Sequence, residues 1–130
     1  RRFSAEYLSR TREGMWADSR AALADLDLSN RERILDVGCG TGELTRVLAS
    51  ETAADTEVIG VDADRRLLDV ASESVPAVAG DALRLPVADD SVDLVVCQAL
   101  LINLPEPAAA LEEFARVSTD LVAAIEPNNA

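Results

Sequence analysis

The chain has 130 residues, 48% of them hydrophobic, enough for one domain with a real core, and no apolar run approaches the length of a membrane span. Acidic residues number 24 against 12 basic ones, a net charge of −12, and every basic residue is arginine. Such a surface repels nucleic-acid phosphates and anionic lipid, while the lack of histidine and of metal-ligand cysteine spacing argues against structural zinc, a disulfide framework and histidine-based catalysis.

The sequence opens Arg1-Arg2-Phe3, without an initiator methionine and without the apolar core of a signal peptide, and reads as a fragment or the ordered part of a longer chain. Phe3 to Leu28 is expected to be helical, with Ser4 as N-cap and Leu8, Met15, Trp16, Ala22, Leu23 and Leu26 as an intermittent apolar face that Gly14 divides in two. This makes residues 1–30 an N-terminal helical cap. Tyr7, Arg12 and Trp16 recur near helical spacing, so that face is a candidate cover for a ligand pocket, Arg12 meeting the carboxylate of an amino-acid moiety. Ordinary packing and solvation is the alternative.

Ile34, Leu35 and Val37 form a short apolar run, followed by the turn Gly38-Cys39-Gly40-Thr41-Gly42 and then Leu44, Val47 and Leu48 at helical spacing. The pattern predicts a strand, a tight loop and a helix whose free N–H groups and positive dipole end point back across the loop. A ligand could lie there against bare backbone. A dinucleotide fingerprint needs a third glycine at position 43, where this chain has Glu43, a poor neighbour for a pyrophosphate. Asp36 at the strand end suits a cationic or amine-bearing ligand better.

Glu57 to Val61 predicts a second strand ending at Asp62, where a carboxylate in a parallel nucleotide-binding sheet can accept both hydroxyls of a ribose. Asp64 reads instead as the cap of a helix carrying Leu67, Leu68, Val70 and Ala71. Val75 to Ala79 is a third strand, followed by Gly80-Asp81-Ala82 and Leu83-Arg84-Leu85-Pro86; a plain hydrogen-bonded turn at Gly80-Asp81 is one reading. Leu94 to Cys97 is a fourth, buried strand, with Asp93 structural at its start. Pro105 to Val117 is a helix with Leu111, Phe114 and Val117 inward, and Leu121 to Glu126 is a fifth strand.

Taken in order, D-x-G-x-G-x-G from Asp36 to Gly42, the acid at Asp62, G-D-A-x-x-L-P from Gly80 to Pro86 and V-D-L-V from Val92 to Val95 resemble the motifs of the class I, Rossmann-like S-adenosylmethionine-dependent methyltransferases. The resemblance runs from Arg33 to about Pro127. It implies a cofactor site made of Asp36, Gly38, Cys39, Gly40, Thr41 and Gly42, of Asp62 with Ala63 at the ribose, and of Asp81 with Ala82 at the adenine. It also places Cys97 and Gln98 where the sulfonium meets the acceptor. Three departures stand out: Ser118-Thr119-Asp120 replaces the usual Pro-Gly-Gly turn, the histidine often found after the fourth strand is absent, and the family's last two strands are missing.

The expected fold is therefore an α/β, open, doubly wound, mostly parallel sheet of order 3-2-1-4-5, forming a C-terminally incomplete S-adenosylmethionine-binding domain over residues 31–130, with the N-terminal helices beside it. Its fifth strand is expected to leave an uncovered edge through which copies could associate. The expected activity is methyl transfer to a small molecule in the cytoplasm, with no nameable catalytic base and no metal. A non-catalytic cofactor-binding module and a nicotinamide oxidoreductase are the rivals. The acid-rich, lysine-free composition also resembles that of proteins from salt-loving organisms.

Overall fold

In the computed structural model, residues 4–11 and 23–128 are described. Six strands form one sheet: β1 Ser4–Thr11, β2 Arg33–Val37, β3 Glu57–Asp62, β4 Ala77–Ala79, β5 Val92–Gln98 and β6 Ser118–Asn128. Their order is β1-β6-β5-β2-β3-β4 and every pairing is parallel. The five anticipated strands thus take the anticipated order 3-2-1-4-5, as β4-β3-β2-β5-β6. Parallel strands need crossovers, supplied by α1 Glu43–Glu51 after β2, α2 Arg65–Ala71 after β3 and α3 Pro107–Val117 before β6.

Both faces of the sheet are covered, which is why its strands are nearly continuous apolar runs. Side chains alternate along each strand. Ile34, Leu94, Val96, Ala123 and Ile125 pack with Leu44 and Leu48 of α1 and with Leu23, Leu26 and Leu28. Leu35, Val37, Val95, Cys97, Val122 and Ala124 face the other way, onto Ala110, Phe114 and Val117 of α3. Pro107 opens α3, where a missing N–H costs nothing.

The N-terminal expectation is corrected. Ser4–Thr11 is a strand, paired from Ser4↔Leu121 to Thr11↔Asn128, so Tyr7 lies in the outermost strand opposite Ala124 and not on a helix over the crevice. The outer edge of β6 carries unpaired N–H and C=O groups, and satisfying them outweighs a weak local helical pattern. With β1 there, the uncovered edge proposed as a self-association surface is filled. The end of the expected helix is also different: two short 3-10 turns, Ala24–Leu26 and Leu28–Asn30, flank Asp27 at φ 57°, whose carboxylate accepts from Asn30 Nδ2 at 2.7 Å. Arg12 and Trp16 lie outside the described residues.

Among the described residues, Phe114 is the largest fully buried side chain. Phe114→Ala should lower unfolding free energy by about 3 to 5 kcal/mol, a loss of packing and transfer energy together, read from the midpoint of urea denaturation.

Candidate cofactor crevice

In a doubly wound sheet the strand order reverses between β2 and β5, and the chain on either side departs in opposite directions, leaving a crevice at the carboxyl ends. The glycine loop fills the β2 side. Gly38, Gly40 and Gly42 all have positive φ, 76°, 57° and 93°, conformations that glycine adopts at no steric cost. The loop is tied to the end of β3 by three successive N–H groups: Gly38 and Cys39 donate to the Val61 carbonyl at 2.7 and 3.0 Å, and Gly40 donates to Asp62 Oδ2 at 2.8 Å.

The glycines differ in what lies above them. A Cβ on Gly38 would come within 2.9 Å of Leu100, and one on Gly42 within 3.2 Å of Val75, so both are needed for packing. A Cβ on Gly40 would meet nothing within 4 Å. That space is open, bordered by backbone and by α1, whose first-turn N–H groups have no acceptor within the helix.

Asp62 sits beside it, half-buried. Each of its oxygens accepts one backbone N–H, Oδ2 from Gly40 and Oδ1 from Asp64, which leaves acceptor capacity on both for a pair of ligand hydroxyls. Asp64 does cap α2, accepting from the Arg66 N–H at 2.9 Å. Asp81 is exposed and its Oδ1 accepts the Leu83 N–H at 2.9 Å, so the simple turn exists and still leaves the second oxygen available. A cavity of about 130 Å³ joins Gly38, Asp62, Ala63, Asp81, Ala82, Leu100 and Leu104. It is smaller than the roughly 300 to 1,000 Å³ of sites that enclose a whole ligand, so it fits one end of a ligand whose remainder lies over Gly40.

Asp36 lies beneath the loop, 1% exposed, accepting a hydrogen bond from Thr45 Oγ1 at 2.7 Å. Burial pushes its carboxyl up to about 7, the Thr45 hydroxyl opposes this, and the Asp62 charge adds to it. Sequence reasoning missed Thr45, although a polar residue between Leu44 and Leu48 on the buried face of α1 is a visible signal. Cys39 is buried under Gly60, and burial together with the Asp36 and Asp62 charges pushes its thiol up to about 12, which makes it unreactive. Thr41 donates its hydroxyl to Glu43.

On the β5 side Gln98 is half-buried at the strand end, and Ala99 turns the chain with φ 52° while donating to the Ile125 carbonyl at 2.8 Å. The Cys97 thiol is not brought to the crevice. It is fully buried in the core beneath α3, because the alternation that exposes Gln98 turns Cys97 inward. Leu100 and Leu104, which line the cavity, were not singled out from sequence; nothing separates them there from ordinary core leucines.

A larger cleft of about 420 Å³, lined by Arg31, Arg33, Glu57 and Asp93 among others, lies at the opposite, amino ends of the strands. Its polar groups serve the fold. Asp93 accepts the Glu32 and Arg33 N–H groups at 2.9 and 3.1 Å, the structural role expected of it, and Arg31 binds the Leu26 and Asp93 carbonyls and the Asp120 carboxylate. Among the described residues lining it there is no glycine and no helix start.

Residues 35–120 match the family model described as a methyltransferase domain. The chain belongs to this family. It is 39% identical over 104 residues to a demethylmenaquinone methyltransferase of Lactiplantibacillus plantarum, covering 73% of this chain and 44% of that protein. A Staphylococcus aureus protein of the same name is 36% identical over 101 residues, covering 73% and 42%. The chain therefore spans less than half the length of these relatives. Among solved structures, an S-adenosylmethionine-dependent methyltransferase from Aquifex aeolicus superposes with a TM-score of 0.70 at 25% identity, over 78% of this chain and 58% of that one. A chain from the complex of the Haloferax volcanii Trm112 methyltransferase activator with a methyltransferase gives 0.72 at 26% identity, over 82% and 48%.

Asp36 supplies a test of the site's electrostatics. Its native carboxyl holds a proton between its ordinary 3.8 and about 7 that the unfolded chain has released, so its contribution to stability is full below 3.8 and is lost as pH rises through 7. Asp36→Asn removes that loss and can keep the Thr45 hydrogen bond. Relative to wild type, the variant should gain about 2 to 3 kcal/mol between pH 5 and pH 8, measured by denaturant titration at each pH.

Proposed function

We propose that this methyltransferase-family chain binds S-adenosylmethionine in the crevice and takes part in methyl transfer to a small molecule. The observation carrying this reading is the glycine loop, with open space over Gly40 and the Asp62 carboxylate beside it. When bound, the cofactor supplies an electrophilic methyl group on a sulfonium, ready for in-line displacement. The chain's part is binding and orientation. Asp62 accepts the ribose hydroxyls, Asp81 and the Ala82 backbone take the adenine edge, and the loop and the start of α1 receive the amino-acid end. The Asp62 carboxylate provides a negative field that favours a cation, a bound cation would in turn favour the ionised form of the buried Asp36, and Leu100 and Leu104 exclude water from the cavity.

Glu43 stands as the first residue of α1, where a dinucleotide's pyrophosphate would lie, and this weighs against a nicotinamide oxidoreductase. The name of the curated relatives, with the half-buried Leu100, Leu101 and Leu104 beside the crevice, supports an apolar, quinone-like acceptor. A binding-only module is the second reading, favoured by the lack of histidine. A transfer assay with a demethylated naphthoquinol separates the two. Two buried cysteines that form no disulfide fit a reducing compartment, which we take to be the cytoplasm, and the −12 charge disfavours nucleic acid.

Calorimetric titration with S-adenosylhomocysteine tests the site. Asp62→Ala should weaken binding by about 1.5 to 3 kcal/mol, since two charge-assisted hydrogen bonds and the anchor of Gly40 are lost together. Unchanged affinity in a folded variant would remove Asp62 from the site.

We also read the acid-rich surface as halophilic. The melting temperature should then climb as potassium chloride is raised into the molar range, by screening of carboxylate repulsion; a flat profile in chloride overturns this.

A further inference from the structure

The crevice has a rigid floor in β2 and β3, but its purine wall, Gly80 to Val87, is a loop with few backbone pairings of its own. Within it the Arg84 N–H donates to the Asp81 carbonyl at 2.9 Å and the Leu83 N–H to the Asp81 side chain. Its start is tied to β3, where the Gly80 N–H donates to the Asp62 carbonyl at 3.1 Å, and its far half is fixed to the rest of the molecule by a side-chain pair on α3. Glu113 Oε2 accepts the Leu85 N–H at 2.5 Å, and Arg116 Nη2 donates to the Leu85 carbonyl at 3.2 Å, so both polar groups of one loop residue are held. The pair is itself bidentate, with Arg116 Nε to Glu113 Oε1 at 2.8 Å and Nη2 to Oε2 at 2.7 Å, and Arg116 Nη1 reaches Asp89 Oδ1 at 2.7 Å. These partners hold the Glu113 carboxyl below the usual carboxylate range, so it remains an acceptor across the physiological range. Leu85 is buried at 4% exposure, and four residues before it Asp81 lines the cavity.

We propose that Glu113 and Arg116 are positioning residues for base recognition: by gripping Leu85 they hold Asp81 and Ala82 at the distance that reads an exocyclic amine. This rests on the cofactor reading above. Neither residue lines the cavity, so they act through the loop. A fixed acceptor discriminates between an amine and a carbonyl at the same ring position, whereas a loose loop adapts to either.

The test is a ratio. S-adenosylhomocysteine and its inosine counterpart, which carries a carbonyl in place of the exocyclic amine, are titrated calorimetrically into the same chain. Wild type should prefer the adenosine compound by about tenfold, the equivalent of one well-placed hydrogen bond. In Glu113→Ala and in Arg116→Lys, which keeps the charge but loses the bidentate fork, the preference should fall towards unity while both compounds still bind. Glu113→Gln, able to accept from Leu85, should restore most of it. Stability alone would lower both affinities together and leave the ratio unchanged; a wild-type ratio in folded Arg116→Lys or Glu113→Ala overturns the proposal, as does a wild type without preference. Failure of wild type to bind S-adenosylhomocysteine at all would overturn the cofactor reading instead.

Discussion

Three consecutive backbone N–H groups, those of Gly38, Cys39 and Gly40, all point at the end of β3, and this single junction decides the shape of the site. Two of them share the Val61 carbonyl and the third takes the Asp62 carboxylate. The chain can make that turn only with positive φ at Gly38 and Gly40, after which α1 begins with its N–H groups directed over the crevice. Asp62 consequently has two duties. It anchors the loop from below and keeps the remaining lone pairs facing outward. A substitution there changes the wall of the crevice and, on the proposed reading, the contact with the ribose.

The same junction carries an electrostatic cost. Asp36 is enclosed between β2 and α1 with one hydroxyl partner, Thr45, and a second carboxylate nearby, an arrangement that destabilises the ionised form. A fold selected only for stability would place an apolar residue there, as it does at Leu35 and Val37. Retaining an acid where burial opposes its charge is the kind of local inconsistency expected where a ligand supplies the missing positive partner.

Farther out, the site depends on tertiary contacts that no local pattern encodes. Leu85 is held by α3, which arrives from more than twenty residues downstream, and Leu100 packs on Gly38 across the switch point. Core and crevice are continuous: the leucines that line the cavity also join the cluster around Phe114. The wall of the site therefore shares the rigidity of the core beneath it.

The sequence by itself determined the central strands, their order and the glycine loop, because these depend on local signals: apolar runs of strand length, three glycines in five residues, and acids at strand ends. It also gave Asp64 correctly as a helix cap, whereas the tie from Asp62 to the Gly40 N–H was not foreseen. Cys97 illustrates where local reading stops, since nearness to the crevice in sequence says nothing about which face an alternating side chain takes until the register with Val37 is fixed. The N-terminal segment illustrates it further. Ser4–Thr11 has a weak periodicity readable as a helix, and only the presence of an unpaired β6 edge makes it a strand. Backbone groups must find partners, and which partner is available is a property of the assembled sheet, not of the segment.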